Sequence, residues 1–296
     1  DRILDLTSGI GVLALGHNHQ KIIDVERKFQ DLCLVDTQKF GPNKLQAALA
    51  YNLSQLLPDD LEVTFFAVSG AEAVEAAIKL STMAKGKDAK YFISAQESYH
   101  GKTLGALSLT DTENFSEGFH LGLREENTVK IEFNNIEAYK KIILKLTKEK
   151  ICAIIIEPIQ GQIVEVAKKK YLKEICNISK KNDIIVIFDE IKCGLGRSGD
   201  LFSFLDYDCV PDILTTSKAL GGGKNAISAM VASKKIFNKA YGSINKSTLH
   251  TTTFFGLGEA CASGIETLNI ISDKGFLENI KEKSKFTFQE LNKIQS

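Results

Sequence analysis

The chain has 296 residues, 44% of them hydrophobic, and its 37 basic and 37 acidic side chains leave no net charge. This length suits one large or two modest domains with a sizeable core. The balanced charge argues against nucleic acid or an acidic membrane surface as a partner, and no apolar run is long enough to cross a bilayer.

Cysteine usage points to a reducing compartment. The six cysteines are scattered along the chain without paired spacing, and the sequence contains no visible secretory signal. We therefore expect reduced thiols and a cytoplasmic location.

Helical and strand patterns alternate along the chain. Apolar, β-branched runs predict seven strands, at 64–68, 90–94, 105–109, 151–156, 184–188, 212–216 and 226–232. Helical patterns lie near 20–33, 43–56, 70–84, 135–148, 169–182 and 258–272, and a further helical run covers 276–295. Strands separated by helices predict parallel crossovers and an α/β sandwich.

The first predicted strand leads into a turn of small residues, Ser69, Gly70 and Ala71, and then into an Ala-rich helix. Free N–H groups at such a helix start form an anion site that suits a phosphate. Ser69 is also a good N-cap residue, so a plain capped helix is an equally open interpretation.

The next strand is followed by Tyr99, His100 and Gly101. An aromatic ring beside a glycine at a strand end can lie flat on a planar cofactor, although the pattern is unremarkable in isolation.

The apolar run at 184–188 is typical of a strand buried on both faces of a parallel sheet. It ends in Asp189 and Glu190, at the carboxyl edge where ligands bind in open α/β sheets. A carboxylate there could pair with a cationic ring nitrogen, while a helix cap or a loop ion pair is the commoner alternative.

Lys218 stands between a short strand and three successive glycines, Gly221 to Gly223. A lysine held there can form a Schiff base with a carbonyl cofactor, and the glycines allow close approach of the backbone. The alternative is a solvated charge, the usual state of a lysine beside a turn.

Two other patterns fit less well. Residues 194–199 match the G-x-G-x-x-G spacing of dinucleotide sites, but they begin five residues beyond the strand end and open no Ala-rich helix. His17 and His19 resemble a metal pair, yet no cluster of ligands accompanies them, so a turn is favoured and no metal is expected.

In this order the segments resemble the class III aminotransferases, pyridoxal-phosphate enzymes of fold type I. The resemblance runs from about Asp5 to Cys261, and the segments 6–11 and 15–19 fit the N-terminal part of that family. The six ordered signatures are the phosphate turn (69–71), the ring-stacking segment (99–101), the Glu-Pro-Ile-Gln-Gly stretch (157–161), the Asp-Glu segment (188–199), the lysine segment (217–223) and the threonine segment (250–254).

This resemblance implies a three-layer α/β/α large domain with a mostly parallel seven-stranded sheet. It also implies pyridoxal 5'-phosphate, held as a Schiff base by Lys218, with Asp189 keeping the ring nitrogen protonated. Both of these residues would be catalytic, and Thr253 would reach the phosphate of a neighbouring subunit in a homodimer. The implied cofactor-binding residues are Ser69, Gly70, Ala71, Tyr99, His100, Glu157, Asp189, Ile191, Lys192, Lys218 and Thr253.

The segments 101–108 and 249–254 look most like those of the putrescine and ornithine-type enzymes. They imply transfer of an amino group from an ω-amino or diamine-type donor, of the ornithine, acetylornithine or putrescine class, to a 2-oxo acid such as 2-oxoglutarate. Another class III activity, an aminomutase, racemase or decarboxylase, is an alternative, as is a cofactor-binding module without turnover.

Two positions depart from the family pattern. Lys192 stands where the family usually has a glutamine that touches the phenolic oxygen of the cofactor. Residues 255–258 read Phe-Gly-Leu-Gly where Gly-Gly-Asn-Pro is common. We expect altered tuning of the ring at the first position and an altered contact between subunits at the second.

The resemblance also divides the chain. We expect an N-terminal segment at 1–40, the large PLP-binding domain at 41–273 and the start of a truncated C-terminal small domain at 274–296. Since the chain starts without Met and stops within a helical run, we expect a fragment that lacks most of the small domain. With only four arginines, Arg2, Arg27, Arg124 and Arg197, we expect the arginine for the acceptor carboxylate beyond Ser296.

Overall fold

The computed structural model describes residues 3–38, 41, 43–58, 60–112, 115–119 and 125–295. The strands within these ranges are β1 (Leu61–Ala67), β2 (Tyr91–Ala95), β3 (Thr128–Ile131), β4 (Ile151–Ile156), β5 (Ile185–Asp189), β6 (Ile213–Thr216) and β7 (Ser228–Ser233). The helices are α1 (Ser8–Gly11), α2 (Gln20–Asp31), α3 (Lys44–Leu56), α4 (Gly70–Lys85), α5 (Leu104–Leu109), α6 (Ile136–Leu146), α7 (Lys169–Lys181), α8 (Lys234–Tyr241), α9 (Gly258–Ile271) and α10 (Lys274–Gln295).

One sheet joins the seven described strands, in the order β1-β7-β6-β5-β4-β2-β3. Strand β7 is antiparallel to β1 and to β6. The pairs from β6 to β3 are all parallel. The mostly parallel seven-stranded sheet expected from the sequence is therefore confirmed.

Helices cover both faces of this sheet because its central strands are apolar on both sides. Ile154 and Ile156 of β4 join the core cluster beneath α3, α6, α7 and α9. The alternate residues Ala153 and Ile155 join the cluster beneath α4, α5 and α8. Each fully buried aliphatic side chain stabilises the fold by about 1.5–3 kcal/mol. The result is the expected three-layer α/β/α arrangement.

One of the seven predicted strands is wrong. Residues 105–109 form helix α5 rather than a strand, because the carboxylate of Glu75 supplies an acceptor at the helix start. Glu75 Oε1 accepts the N–H groups of Gly105 at 2.8 Å and Ala106 at 3.1 Å. A short apolar run fits either structure, and this contact from a distant helix decides between them.

The seventh described strand is instead β3, an edge strand that pairs with β2 and has four residues. Its length is too short for a clear alternating pattern. Helix α8 is not among the predicted helices, although Ser233 caps it by accepting the N–H of Ile236 at 3.3 Å. The helical run predicted at the C-terminus corresponds to α10.

The domain boundaries at 40 and 273 stay predictions, and residue 40 lies outside the described residues.

The topology brings the predicted motifs to one edge of the sheet. Strands β5 and β6 are parallel neighbours, with Asp189 opposite Thr215, so Asp189 and the segment that begins at Ser217 emerge side by side. The chain after β2 crosses the same edge and carries Tyr99 and His100 there. Ligand sites of open α/β sheets form at this edge.

A close approach of backbones fixes the segment after β2 against the start of α4. Gly101 has a φ of +126°, and a Cβ atom added to it would lie 2.7 Å from the Cβ of Ala71. Only glycine combines this conformation with this spacing. The two turns that carry Tyr99 and Gly70 are thereby held together.

We expect Gly101→Ala to lower the free energy of unfolding by about 1–3 kcal/mol more than Gly86→Ala, because the added methyl group overpacks against Ala71. Gly86 is a matched control, since its φ is +83° but a Cβ there would meet nothing within 4 Å. Urea unfolding of both variants measures the difference. Equal losses in the two variants would contradict the packing argument.

Candidate active site

The predicted motifs meet in a cleft of about 670 Å³ at the carboxyl edge of the sheet. Nine of the eleven predicted cofactor-binding residues line it: Gly70, Ala71, Tyr99, His100, Glu157, Asp189, Ile191, Lys192 and Lys218. The other two, Ser69 and Thr253, are exposed and lie outside the lining.

Lys218 begins a short 3-10 turn directly after β6 and Ser217. Its φ of +42° lies in the left-handed region that a residue with a side chain rarely occupies. Such strain concentrates at functional sites, where the surrounding structure enforces it. Burial lowers the pKa of the Lys218 ammonium, Asp189 opposes the shift, and Lys192 adds to it. A neutral amine, which is a nucleophile, is therefore more accessible than on a surface lysine.

Asp189 ends β5 and is almost completely buried, with 3% of its surface exposed. Its Oδ2 lies 2.8 Å from Nδ1 of His100. Its Oδ1 accepts the N–H of Ile191 at 3.1 Å and the hydroxyl of Thr215 at 3.2 Å. These contacts fix the carboxylate in one orientation and compensate for its burial.

The imidazole of His100 is buried together with Asp189. Its second nitrogen, Nε2, has no hydrogen-bond partner among the described residues. A buried polar atom without a partner is unusual and indicates a position for water or a bound group. His100 therefore links the carboxylate to the wall of the cleft.

The start of α4 is a capped helix, while the phosphate site stays a prediction. Ser69 caps the helix by accepting the N–H of Glu72 at 3.3 Å, while Glu72 Oε2 accepts the N–H of Ser69 at 2.8 Å. The hydroxyl of Ser69 is thus engaged in capping. The next two residues, Gly70 and Ala71, belong to the first helical turn and line the cleft.

Glu157 joins the two loops at the far side of the cleft. Its Oε2 accepts the N–H of Tyr99 at 2.9 Å, and its Oε1 accepts the N–H of Gly161 at 2.8 Å. Burial raises the pKa of this carboxyl to about 7, with His100 acting against the shift and Asp189 adding to it. Glu157 holds Tyr99 in position and carries a titratable proton near neutrality.

Glu190, the neighbour of Asp189, faces away from the cleft into the core. Its two oxygens accept the N–H groups of Ser203 at 2.9 Å and Phe204 at 2.6 Å. Burial raises its pKa to about 7. These contacts give Glu190 a structural position beneath the site.

Several cleft residues were missed by the sequence reading. Lys102 lies with its Nζ 3.7 Å from the ring centre of Phe115, and that ring meets Tyr99 edge-on at 5.8 Å. Lys102 follows Gly101 directly and could have been found from its motif. Phe115 lies in a loop with no recognisable signal. The other lining residues outside the predicted cofactor-binding set are Ile10, Gly101, Thr103, Gly161, Gln162 and Ser217, and all but Gln162 lie in segments that carry the family resemblance.

Two of the four arginines, Arg27 and Arg197, belong to the described residues. Arg197 approaches the cleft from the turn after β5, and burial lowers its pKa. Arg2 and Arg124 lie outside the described residues.

In the part of the chain that the structure covers, no group of three or more histidine, cysteine, aspartate or glutamate side chains is arranged to hold a metal ion. The described helices include none long and apolar enough to span a membrane.

Comparison with known proteins gives one consistent family. A family model described as aminotransferase class-III matches residues 1–296. An acetylornithine aminotransferase of Caldanaerobacter subterraneus subsp. tengcongensis is 36% identical over 297 residues, which cover 99% of this chain and 72% of the relative. A putrescine aminotransferase of Pectobacterium atrosepticum is 35% identical over 303 residues, covering 98% of this chain and 62% of the relative.

The fold agrees with solved structures. The crystal structure of an (S)-enantioselective omega-transaminase from Thermomicrobium roseum superposes with a TM-score of 0.91 at 25% identity. The match covers 99% of this chain and 70% of that one.

We expect the stability of the wild-type protein to fall by about 1–3 kcal/mol more than that of Glu157→Gln as the pH rises from 5 to 8. Burial raises the folded-state pKa of Glu157 from its ordinary value of 4.5 to about 7. Its contribution is therefore complete below about pH 4.5 and is lost as the pH rises through about 7. Urea unfolding across this range measures the effect.

Glu190 titrates in both proteins, so the difference between the two pH profiles isolates Glu157. The exposed Glu149→Gln is the matched control and should follow the wild type. Parallel profiles for wild type and Glu157→Gln would show that the buried carboxyl does not titrate as expected.

Proposed function

The chain belongs to the class-III aminotransferases, and we propose that this pyridoxal-phosphate-dependent enzyme uses an ω-amino or diamine-type donor and a 2-oxo acid acceptor such as 2-oxoglutarate. The donor would be of the ornithine, acetylornithine or putrescine class. Support comes from relatives named acetylornithine and putrescine aminotransferase, each at least 35% identical.

The observation that carries the proposal is the presence of a half-buried lysine and a buried, oriented carboxylate in one cleft. The residues around them suit pyridoxal phosphate. Gly70 faces Ile191 so closely that an added Cβ would lie 2.9 Å from its Cδ1, so the helix start packs flush against the wall of the cleft. The unpaired Nε2 of His100 provides a further polar atom for a bound group.

When bound, pyridoxal phosphate supplies an electron sink for the carbon that carries the amino group. Lys218 would attach it covalently and afterwards use its free Nζ to move the proton of that carbon. Asp189 would hold a proton on the ring nitrogen, and His100 would fix the orientation of Asp189. Tyr99 would cover one face of the ring, and the N–H groups of Gly70 and Ala71 would bind the phosphate.

The remaining predicted residues would act in support. Glu157 would position Tyr99, while Ile191 would contact the ring. The wide cleft with Lys102 and Phe115 at its wall would receive the donor.

The same proposal includes a carboxylate-binding arginine in a C-terminal small domain. It also includes the domain limits at 40 and 273. A cytoplasmic location, which is supported by the six unpaired cysteines, belongs to it as well.

Covalent trapping tests the role of Lys218. We expect borohydride reduction in excess pyridoxal phosphate to label Lys218 in the wild type, as seen by peptide mass spectrometry, and to label no cleft residue in Lys218→Ala. Lys224→Ala is the control, because Lys224 lies outside the cleft, with its Nζ 3.7 Å from Oε2 of Glu26. A cofactor adduct that persists in the cleft of Lys218→Ala would overturn the assignment.

The same preparation separates the competing activities. Transfer of amino groups from putrescine, ornithine or acetylornithine to 2-oxoglutarate supports the proposal. Release of carbon dioxide, racemisation or migration of the amino group would each identify another class III reaction. Trapped cofactor without any turnover would indicate a binding module.

We also propose that the enzyme is a homodimer with shared sites, in which Thr253 reaches the phosphate bound by the other subunit. Thr253 is exposed and lies outside the lining of its own cleft. Apolar side chains surround it in sequence and are exposed as well: Ile244 by 91%, Leu249 by 50% and Phe254 by 58%. A second copy of the chain would cover this segment.

Subunit mixing tests this arrangement. We expect Lys218→Ala and Thr253→Asp to be nearly inactive separately, the second because its carboxylate repels the phosphate. In a heterodimer one site receives both changes and the other receives neither. Activity should therefore return to at most about half of the wild-type level on mixing. Absence of recovery in heterodimers verified by native mass spectrometry would exclude shared sites.

A further inference from the structure

The cleft contains a second lysine, Lys192, close to Lys218. A Cβ atom added to Gly11 would lie 3.5 Å from Cγ of Lys192 and 3.7 Å from Cδ of Lys218. The two side chains therefore pass within about 7 Å of each other at these atoms. Both line the cleft, so their charges share one partly buried space.

The position of Lys192 is well defined by its surroundings. Its Nζ donates a hydrogen bond to the carbonyl oxygen of Gly161. A Cβ added to Gly161 would lie 3.1 Å from Cδ of Lys192 and 3.0 Å from Oε1 of Glu157. Because Gly161 has no side chain, the lysine can lie flat against the loop that Glu157 also holds.

A carbonyl oxygen fixes the ammonium of Lys192 but does not neutralise it. Among the described residues, Lys192 forms no ion pair with a carboxylate. Its positive charge therefore acts on neighbouring groups across the cleft, where water is partly excluded.

We propose that Lys192 is an electrostatic positioning residue for Lys218: held against the Gly161 carbonyl, its charge favours the neutral amine of Lys218. Only the chemical use of that amine by Lys218 rests on the proposed function. The effect on the amine itself is a property of the protein chain.

The charges around Lys218 act in two directions. Burial lowers the pKa of Lys218, and Lys192 lowers it further. Asp189, Glu157 and Cys193 act in the opposite direction. Arg197 adds a third positive charge nearby, with Nη2 at 4.0 Å from a Cβ added to Gly11. Lys192 thus offsets the carboxylates that would otherwise keep Lys218 protonated.

A neutral Lys218 is what the proposed reaction requires. Only the free amine attacks a carbonyl carbon, and only the free amine accepts a proton from the donor carbon. A neutral side chain at position 192, such as glutamine, could keep the hydrogen bond to Gly161 but would not act on Lys218 by charge.

Competitive labelling of the cofactor-free protein with trace acetic anhydride tests the inference without any turnover. The pH at which Lys218 becomes half-reactive, read by peptide mass spectrometry, reports its proton affinity. We expect Lys192→Gln to shift this midpoint upward by about half to one pH unit, the size expected when a neighbouring positive charge is removed from a partly hydrated cleft. At a fixed pH below the midpoint, labelling should slow about three- to tenfold.

Lys192→Arg keeps the positive charge and should retain the wild-type midpoint. Lys169→Gln controls for the change in net charge and should also retain the wild-type midpoint. It removes an exposed lysine whose Nζ lies 2.8 Å from Oδ1 of Asp206. Thermal unfolding of each variant verifies the fold. An unchanged midpoint in folded Lys192→Gln would overturn the inference and show that Lys192 has only a structural role beside Gly161. An equal shift of the midpoint in Lys192→Arg would also overturn it. Borohydride trapping on Lys218 tests the proposed function separately.

Discussion

The buried contact between His100 and Asp189 holds the candidate site together. It joins the segment after β2 to the end of β5 across a strand, at 2.8 Å between Nδ1 and Oδ2. A buried carboxylate is tolerated only when its charge is compensated, and His100, Thr215 and the N–H of Ile191 provide that compensation. Removing the hydrogen-bond partner of a buried polar group costs about 1–3 kcal/mol, and more when the group left behind is charged. The orientation of Asp189, on which the proposed chemistry depends, is therefore built into the stability of the fold.

Around this contact the cleft concentrates charges of both signs in a small volume. Asp189 is tied to three donors, while Glu157 accepts two backbone N–H groups and has its pKa raised to about 7 by burial. The buried carboxyl of Glu157 therefore exchanges its proton near neutrality at the same sheet edge. Lys218 and Lys192 add positive charge to the same space. Asp189, Glu157 and Lys192 each act on the proton affinity of Lys218, so a substitution at any of them is expected to change it.

Backbone geometry sets the positions of these side chains. Gly101 and Gly11 adopt positive φ values of +126° and +83° and allow loops to approach within contact distance. Lys218 adopts a φ of +42° despite its side chain. The neighbouring strands β5 and β6 are buried throughout, and their packing supplies the stability that such a strained residue requires.

The sequence by itself determined the layer architecture, six of the seven described strands and nine of the residues that line the cleft. Those features follow from local patterns: apolar runs such as 184–188, a capped helix start at Ser69, and a lysine before three glycines. What only the tertiary structure decided depends on residues far apart in the chain. Helix α5 replaced a predicted strand because Glu75 caps it from α4, and His100 was brought onto Asp189 across 89 residues. Lys192 was placed beside Lys218 by the turn after β5 and by the bare backbone of Gly161. Local patterns could not indicate these contacts, because the partner of each group is set by the packing of the sheet and not by its neighbours in sequence.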